Sequence, residues 1–308
     1  CTAFVHHSCP QVLIAQVSFF PGLSRVSVVT GPGVDAKNFE MFTVLVEIVL
    51  SMTTVQRHEE LLENGLLSKF SEALGRALFV SHQWCSMYHP DPTGVQFRTL
   101  QEVLKRLMSG TSQVMQPISE EAGVGRMKLP QPRDFTSHAL YIWYDYFSIP
   151  QGSDSKASAN RQIEISCIPS YCRRSYLFMI LCPPVRHTET DSLLSYKTWS
   201  DRGWCRLERM ARALGHSNGF VIRVEDASTP ALSGNASLAL YDPPGKGTFT
   251  VEDDKQKIAP VIKSMIEDKL QYFLMKKDLH NHRFLLSLQR HYLSGLESDW
   301  IECSTGFR

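Results

Sequence analysis

Four short apolar runs without polar alternation constrain the fold of this chain more than any other feature. They cover residues 77–81, 140–145, 176–181 and 219–224. Such runs are typical of strands that are buried on both faces of a parallel sheet. Segments with helical spacing separate them, as in 95–108, where Phe97, Leu100 and Leu104 share one face. Because strand and helix alternate, the sequence predicts an α/β fold with a flavodoxin-like, doubly wound parallel sheet.

The sequence before the first of these strands and after the last one is predicted to be mainly helical. Apolar spacing predicts helices over 36–52, 56–74, 253–276 and 281–296. Two further stretches, 109–138 and 183–203, interrupt the alternation and are expected to be insertions. We therefore expect an N-terminal strand and helical segment at 1–75, an α/β domain at 76–252 and a C-terminal helical segment at 253–308.

Charge and composition exclude several functional classes. The formal net charge is +1, whereas a dedicated nucleic-acid or membrane-surface binder usually needs a basic field. The apolar run 42–50 contains Glu47 and is too short to cross a bilayer. The composition therefore predicts a globular protein that binds no nucleic acid and has no membrane span.

The cysteines favour a reducing compartment. None of the eight forms a C-x-x-C pair, and Cys182 lies inside an apolar run, as buried reduced thiols do. This pattern predicts no metal site and a cytoplasmic location. The chain begins with Cys1 and not with Met, so we expect a fragment of a longer protein.

Polar side chains follow two of the predicted strands. Ser81, His82 and Trp84 lie at the end of the first strand, and Asp145 ends the second. Ligands of open α/β sheets bind beyond the carboxyl ends of the strands, so these residues are candidates for a binding site. Structural roles are the alternative, since Ser81 could cap backbone groups, His82 could have its hydrogen bonds satisfied internally and Trp84 could be core.

A second group of candidates opens the helix after the third strand. Glu208 lies four residues after Trp204 and three after Cys205, which places the three on one helical face. Asp201 is the expected N-cap. A carboxylate beside an indole can serve as a catalytic acid or base or bind a ribose, although a solvated surface Glu has the same sequence signature.

These motifs resemble, in their order, the Toll/interleukin-1 receptor (TIR) domain. The segments that carry the resemblance are Leu78-Phe79-Val80-Ser81-His82, Asp145 through Gly152, Ser175 to Leu181, and Tyr196-x-x-x-Ser200-x-x-x-Trp204-Cys205-x-x-Glu208. Trp143-Tyr144-Asp145 followed by Ile149-Pro150-Gln151 also resembles the related heterokaryon-incompatibility domain of fungi.

The resemblance implies a reaction and a set of site residues. In enzymatic TIR domains the Glu of Trp-Cys-x-x-Glu catalyses hydrolysis of NAD at the nicotinamide–ribose bond, which implies that Glu208 is catalytic. It implies NAD as the substrate, with no separate cofactor. The implied substrate-binding residues are Ser81, His82, Trp84, Asp145 and Trp204. The implied interaction loop contains Phe147, Ile149, Pro150 and Gly152.

Two other functions remain open from the sequence. Many TIR domains only assemble with one another, so the chain could be a signalling scaffold that self-associates through the interaction loop. A thiol hydrolase that uses Cys205 as nucleophile and His82 as base is the third alternative.

Overall fold

The computed structural model describes residues 40–152, 166–215, 219–234 and 242–296. Residues 1–39 of the expected N-terminal segment and residues 297–308 of the expected C-terminal segment lie outside the described residues. All of the described residues belong to one compact unit, which spans 36–308.

The protein is an α/β protein with a mostly parallel central sheet. The described strands of that sheet are β1 (Phe42–Leu45), β2 (Leu67–Lys69), β3 (Arg76–His82), β4 (Leu140–Tyr144), β5 (Leu177–Leu181), β8 (Val221–Val224) and β9 (Ala231–Leu232). They lie in the order β2-β1-β4-β3-β5-β8-β9. The four central strands β4, β3, β5 and β8 are parallel, whereas β1, β2 and β9 pair antiparallel at the edges. A separate hairpin consists of β6 (Val185–Arg186) and β7 (Leu193–Leu194).

Helices flank this sheet. They are α1 (Val46–Ser51), α2 (His58–Glu63), α3 (Val95–Ser109), α4 (Ile118–Val124), α5 (Pro132–Thr136), α6 (Asp145–Ser148), α7 (described over 166–174), α8 (Tyr196–Asp201), α9 (Gly203–Leu214), α10 (Asp254–Met275) and α11 (Leu279–Tyr292). Of these, α10 packs against both α9 and α11. No helix in the described part of the chain is long and apolar enough to span a membrane.

The four predicted parallel strands are confirmed. All five residues of β5 are buried, as the apolar run predicted. One large apolar cluster covers each face of the sheet: Phe79 and Phe178 belong to the first, and Leu78 and Met179 to the second. Successive residues of each strand therefore point to opposite faces of the sheet. Because both faces are covered by apolar clusters, these runs show no polar alternation.

The N-terminal segment differs from its prediction. Residues 42–45, expected to be helical, form strand β1, which pairs antiparallel with both β2 and β4. The helix begins only at Val46. Backbone pairing with β4 decides between helix and strand in an apolar run whose local pattern suits both. The helix predicted over 56–74 was also wrong in its second half, since α2 ends at Glu63 and residues 67–69 form strand β2. Part of the expected segment 1–75 therefore extends the central sheet.

The two expected insertions contain regular structure. Residues 109–138 include the short helices α4 and α5, and residues 183–203 include the β6–β7 hairpin and α8. These elements are too short to produce a visible period in the sequence.

Candidate active site

A cleft of about 370 Å³ opens beyond the carboxyl ends of β3 and β4. Its lining brings together most of the predicted site residues, namely His82, Trp84, Asp145, Trp204 and Glu208. Ser81 lies directly behind the cleft, hydrogen-bonded to Glu208. Convergence follows from the parallel arrangement, which places the ends of neighbouring strands at one edge of the sheet.

The helix that carries Glu208 begins where a residue larger than glycine does not fit. A Cβ on Gly203 would overlap the ring of Phe249. The backbone N–H of Gly203 donates to the backbone oxygen of Thr248 at 2.9 Å. The expected N-cap, Asp201, is the last residue of α8, and Arg202 precedes α9. The prediction of Asp201 as the N-cap was wrong, because residues expected to form a loop before α9 form helix α8, and Asp201 belongs to that helix.

Glu208 is a half-buried carboxyl with an unusual pKa. Burial raises its pKa from 4.5 to about 8, and the charge of Asp145 adds to this. The hydrogen bond that Ser81 Oγ donates to Glu208 Oε2 lowers the pKa, as do His82 and Arg202, but they do not outweigh burial. The carboxyl is therefore largely protonated at neutral pH and becomes a carboxylate near pH 8.

Ser81 is hydrogen-bonded to Trp199, which was not a candidate from the sequence. Trp199 is fully buried in α8, and its Nε1 donates to Ser81 Oγ at 3.0 Å. The guanidinium of Arg209 lies 5.5 Å from the centre of the Trp199 ring. A continuous hydrogen-bonded path thus runs from Trp199 through Ser81 to Glu208.

The buried side chain of His82 forms an ion pair with the partly exposed Asp145 beside Glu208. The distance from His82 Nε2 to Asp145 Oδ1 is 2.8 Å, and Trp84 Nε1 donates to Asp145 Oδ2 at 2.7 Å. Burial alone would lower the pKa of His82, but Asp145 raises it above its usual value. Burial would raise the pKa of Asp145, but His82 and then Trp84 lower it. The geometry therefore favours an imidazolium and a carboxylate.

The lining of the cleft contains a second pairing of an indole with a carboxylate. Trp204 Nε1 donates to Asp254 Oδ2 at 3.2 Å, and both residues line the cleft. Asp254 comes from the start of α10 and was not a candidate in the sequence, since 50 residues separate it from Trp204. The two indoles suit a planar aromatic group, and each carboxylate beside them is shared with a cation, His82 for Asp145 and Lys257 for Asp254.

The thiol of Cys205 is poorly suited to nucleophilic catalysis. Cys205 is buried, and its Sγ lies 3.9 Å from the backbone oxygen of His82. Burial and the charge of Glu208 raise the thiol pKa well above its usual value. Both ring nitrogens of His82 already have partners, in Asp145 and the backbone oxygen of Gln83, so neither faces the thiol as a free base.

The expected interaction loop is only partly accessible. Phe147 and Ile149 are buried, while Pro150 and Gly152 are half-exposed. Glu59 of α2 accepts hydrogen bonds from the backbone N–H groups of Gln151 and Gly152, each at 2.7 Å. The loop is thus fixed against the N-terminal segment at the rim of the cleft.

Comparison of the chain with protein-family models, with curated proteins and with solved structures found no match. Within the described part of the chain, no three His, Cys, Asp or Glu side chains are grouped so as to hold a metal ion.

Proposed function

We propose that this cleft hydrolyses NAD at the nicotinamide–ribose bond, with Glu208 as the catalytic residue. The observation that carries this proposal is the carboxyl of Glu208, held by Ser81 in a cleft with a pKa of about 8. A buried carboxyl with a strongly shifted pKa in a cleft is typical of a functional group, because burying it costs stability.

The reaction needs a carboxylate more than it needs an acid. When the C1′–N bond breaks, nicotinamide leaves as a neutral molecule with both bonding electrons, and positive charge develops on the ribose. Carboxylate charge near C1′ stabilises this oxocarbenium-like state. A water molecule then adds to C1′ and loses a proton, which Glu208 is placed to accept.

The rest of the cleft supports a cationic aromatic substrate. Trp84 and Trp204 both line the cleft, and an indole face attracts the pyridinium ring of NAD. Asp145 and Asp254 lie beside these indoles, each shared with a cation, His82 and Lys257. Substrate charge next to Glu208 would also favour its carboxylate form. The volume, about 370 Å³, lies at the lower end of typical ligand clefts and suits the nicotinamide riboside half of NAD.

We also propose the finer assignment of the fold as flavodoxin-like and TIR-like. The order β4-β3-β5-β8 of the parallel strands, with β3 first along the chain, supports this assignment. A cytoplasmic location belongs to the same proposal, supported by the free, buried thiols of Cys85, Cys167, Cys172, Cys182 and Cys205.

The decisive experiment measures nicotinamide release from NAD with the wild type and with Glu208→Gln at high protein concentration. Glu225→Gln is the matched control, since Glu225 follows β8 outside the lining of the cleft and pairs with Arg223 at 3.1 Å. We expect release to fall by at least about 100-fold in Glu208→Gln, the typical loss of one charge-stabilising group, and to stay within about twofold in Glu225→Gln. Equal release from wild type and Glu208→Gln would remove Glu208 from the reaction.

The second candidate is a scaffold that signals by self-association. The partial exposure of Pro150 and Gly152 at the end of the loop favours it. If artificially clustered wild type releases no nicotinamide, and Pro150→Ala reduces the size of assemblies in light scattering, the scaffold replaces the enzyme as the function.

A further inference from the structure

The direction of the hydrogen bond between Ser81 and Glu208 depends on a third residue. Ser81 is 1% exposed and Trp199 is 0% exposed, so no bulk water competes for their hydrogen bonds. An indole N–H can only donate. Ser81 Oγ, 3.0 Å from Trp199 Nε1, must therefore act as the acceptor in that pair.

This leaves the single hydroxyl hydrogen of Ser81 for Glu208 or for the sulfur of Cys205, with which Ser81 also forms a hydrogen bond. Glu208 Oε2 lies within hydrogen-bond distance of Ser81 Oγ, and a carboxylate oxygen accepts this hydrogen. Ser81 keeps a second lone pair, which can accept from the carboxylic acid form of Glu208, whereas the carboxylate form can only accept the Ser81 hydrogen.

We propose that Trp199 is a positioning residue that orients the Ser81 hydroxyl as a hydrogen-bond donor to Oε2 of the Glu208 carboxylate. Trp199 serves the proposed function through the residue assigned to catalysis, without contacting the substrate itself. The proposed role of Trp199 depends on the hydrogen bonds from Trp199 to Ser81 and from Ser81 to Glu208. It does not depend on whether NAD is the substrate.

Other titratable groups also lie near Glu208 and must be held constant in the test. They are His82 of β3, Asp145 after β4, Cys172 of α7, and Arg202 and Cys205 at the start of α9. Trp199→Phe removes none of these groups. It deletes the indole N–H and part of the ring, and so also changes the contact with the Arg209 guanidinium. The Ser81→Ala background separates the two effects, because only the hydrogen-bonded path runs through Ser81.

The chain offers a matched control in Trp143. Trp143 is 1% exposed, belongs to the same apolar cluster as Trp199 and stacks on Phe79 at 4.2 Å. Its Nε1, however, is buried without a hydrogen-bond partner. Trp143→Phe therefore causes a comparable loss of core volume without breaking a hydrogen bond.

The experiment measures the pKa of Glu208 by carboxyl 13C NMR without NAD, with the resonance assigned by its absence in Glu208→Gln. We expect Trp199→Phe to raise the pKa by about one unit, because the carboxylate loses a fixed donor. Trp143→Phe should leave it unchanged. Ser81→Ala should raise it, and adding Trp199→Phe to Ser81→Ala should cause no further rise, since Trp199 acts through Ser81.

Three results would overturn the role of Trp199. They are an unchanged pKa in Trp199→Phe, an equal rise in Trp143→Phe, and a rise from Trp199→Phe that persists in the Ser81→Ala background. Because the titration uses no substrate, its outcome is separate from that of the nicotinamide assay. A protein that releases no nicotinamide can still show the predicted titration, and an active enzyme can fail it.

Discussion

Replacing Glu208 with Gln should make the protein more stable at alkaline pH than the wild type. The folded-state pKa of Glu208, about 8, lies above its usual value of 4.5. Between these values the unfolded chain has lost this proton and the folded chain still holds it. The contribution of Glu208 to stability is therefore fully present below pH 4.5 and is lost as the pH rises to 8.

The magnitude follows from the size of the shift. At 1.36 kcal/mol for each pKa unit, a rise from 4.5 to about 8 corresponds to a loss of at most about 5 kcal/mol. Glu208 is half-exposed to the cleft, where water and small movements relieve part of this loss. We therefore expect Glu208→Gln to gain about 2 kcal/mol over the wild type between pH 5 and pH 8.5.

Urea unfolding followed by far-UV circular dichroism tests this expectation. The relevant quantity is the difference in free energy of unfolding between variant and wild type at each pH, because other titrating groups cancel in it. Gln keeps the shape of the side chain and an oxygen that accepts from Ser81.

The reasoning about Glu208 would be refuted by a difference that stays constant across this pH range or that favours the wild type as the pH rises. Glu225→Gln should show no such trend, because this residue lies at the surface in an ion pair with Arg223. A trend of equal size in Glu225→Gln would assign the effect to net charge and not to burial of Glu208.

Three further predictions concern the cleft and its rim. If Glu208 acts as a carboxylate, kcat/KM for NAD should rise with pH through about 8, whereas a fall over that range would assign it the role of an acid. Asp254→Asn should raise the KM for NAD about tenfold with little change in kcat, since it weakens attraction for the bound cation; an unchanged KM would remove Asp254 from binding. Glu59→Ala should lower the free energy of unfolding by about 1 to 2 kcal/mol and speed proteolysis near Gly152, because it removes the oxygen that accepts two backbone hydrogen bonds from the loop; unchanged proteolysis would show that the loop does not depend on Glu59.

Much of the candidate site could be predicted because of the parallel strands. Ser81, His82 and Asp145 follow apolar runs that are buried on both faces, and the ends of such strands meet at one edge. Glu208 and Trp204 could be found because they share a helical face near the start of a helix. The partners Trp199 and Asp254 could not be found, since 118 residues separate Trp199 from Ser81 and 50 separate Asp254 from Trp204.

The sequence by itself determined the α/β class and the central strands, because burial on both faces of a sheet requires continuous apolar runs that are visible locally. Only the tertiary structure decided that residues 42–45 are a strand, since pairing with β4 supplies hydrogen bonds that no local pattern encodes. The same holds for the pKa of Glu208. Its residue type and position are written in the sequence, but burial, Asp145 and Ser81 shift its pKa only after folding brings them together.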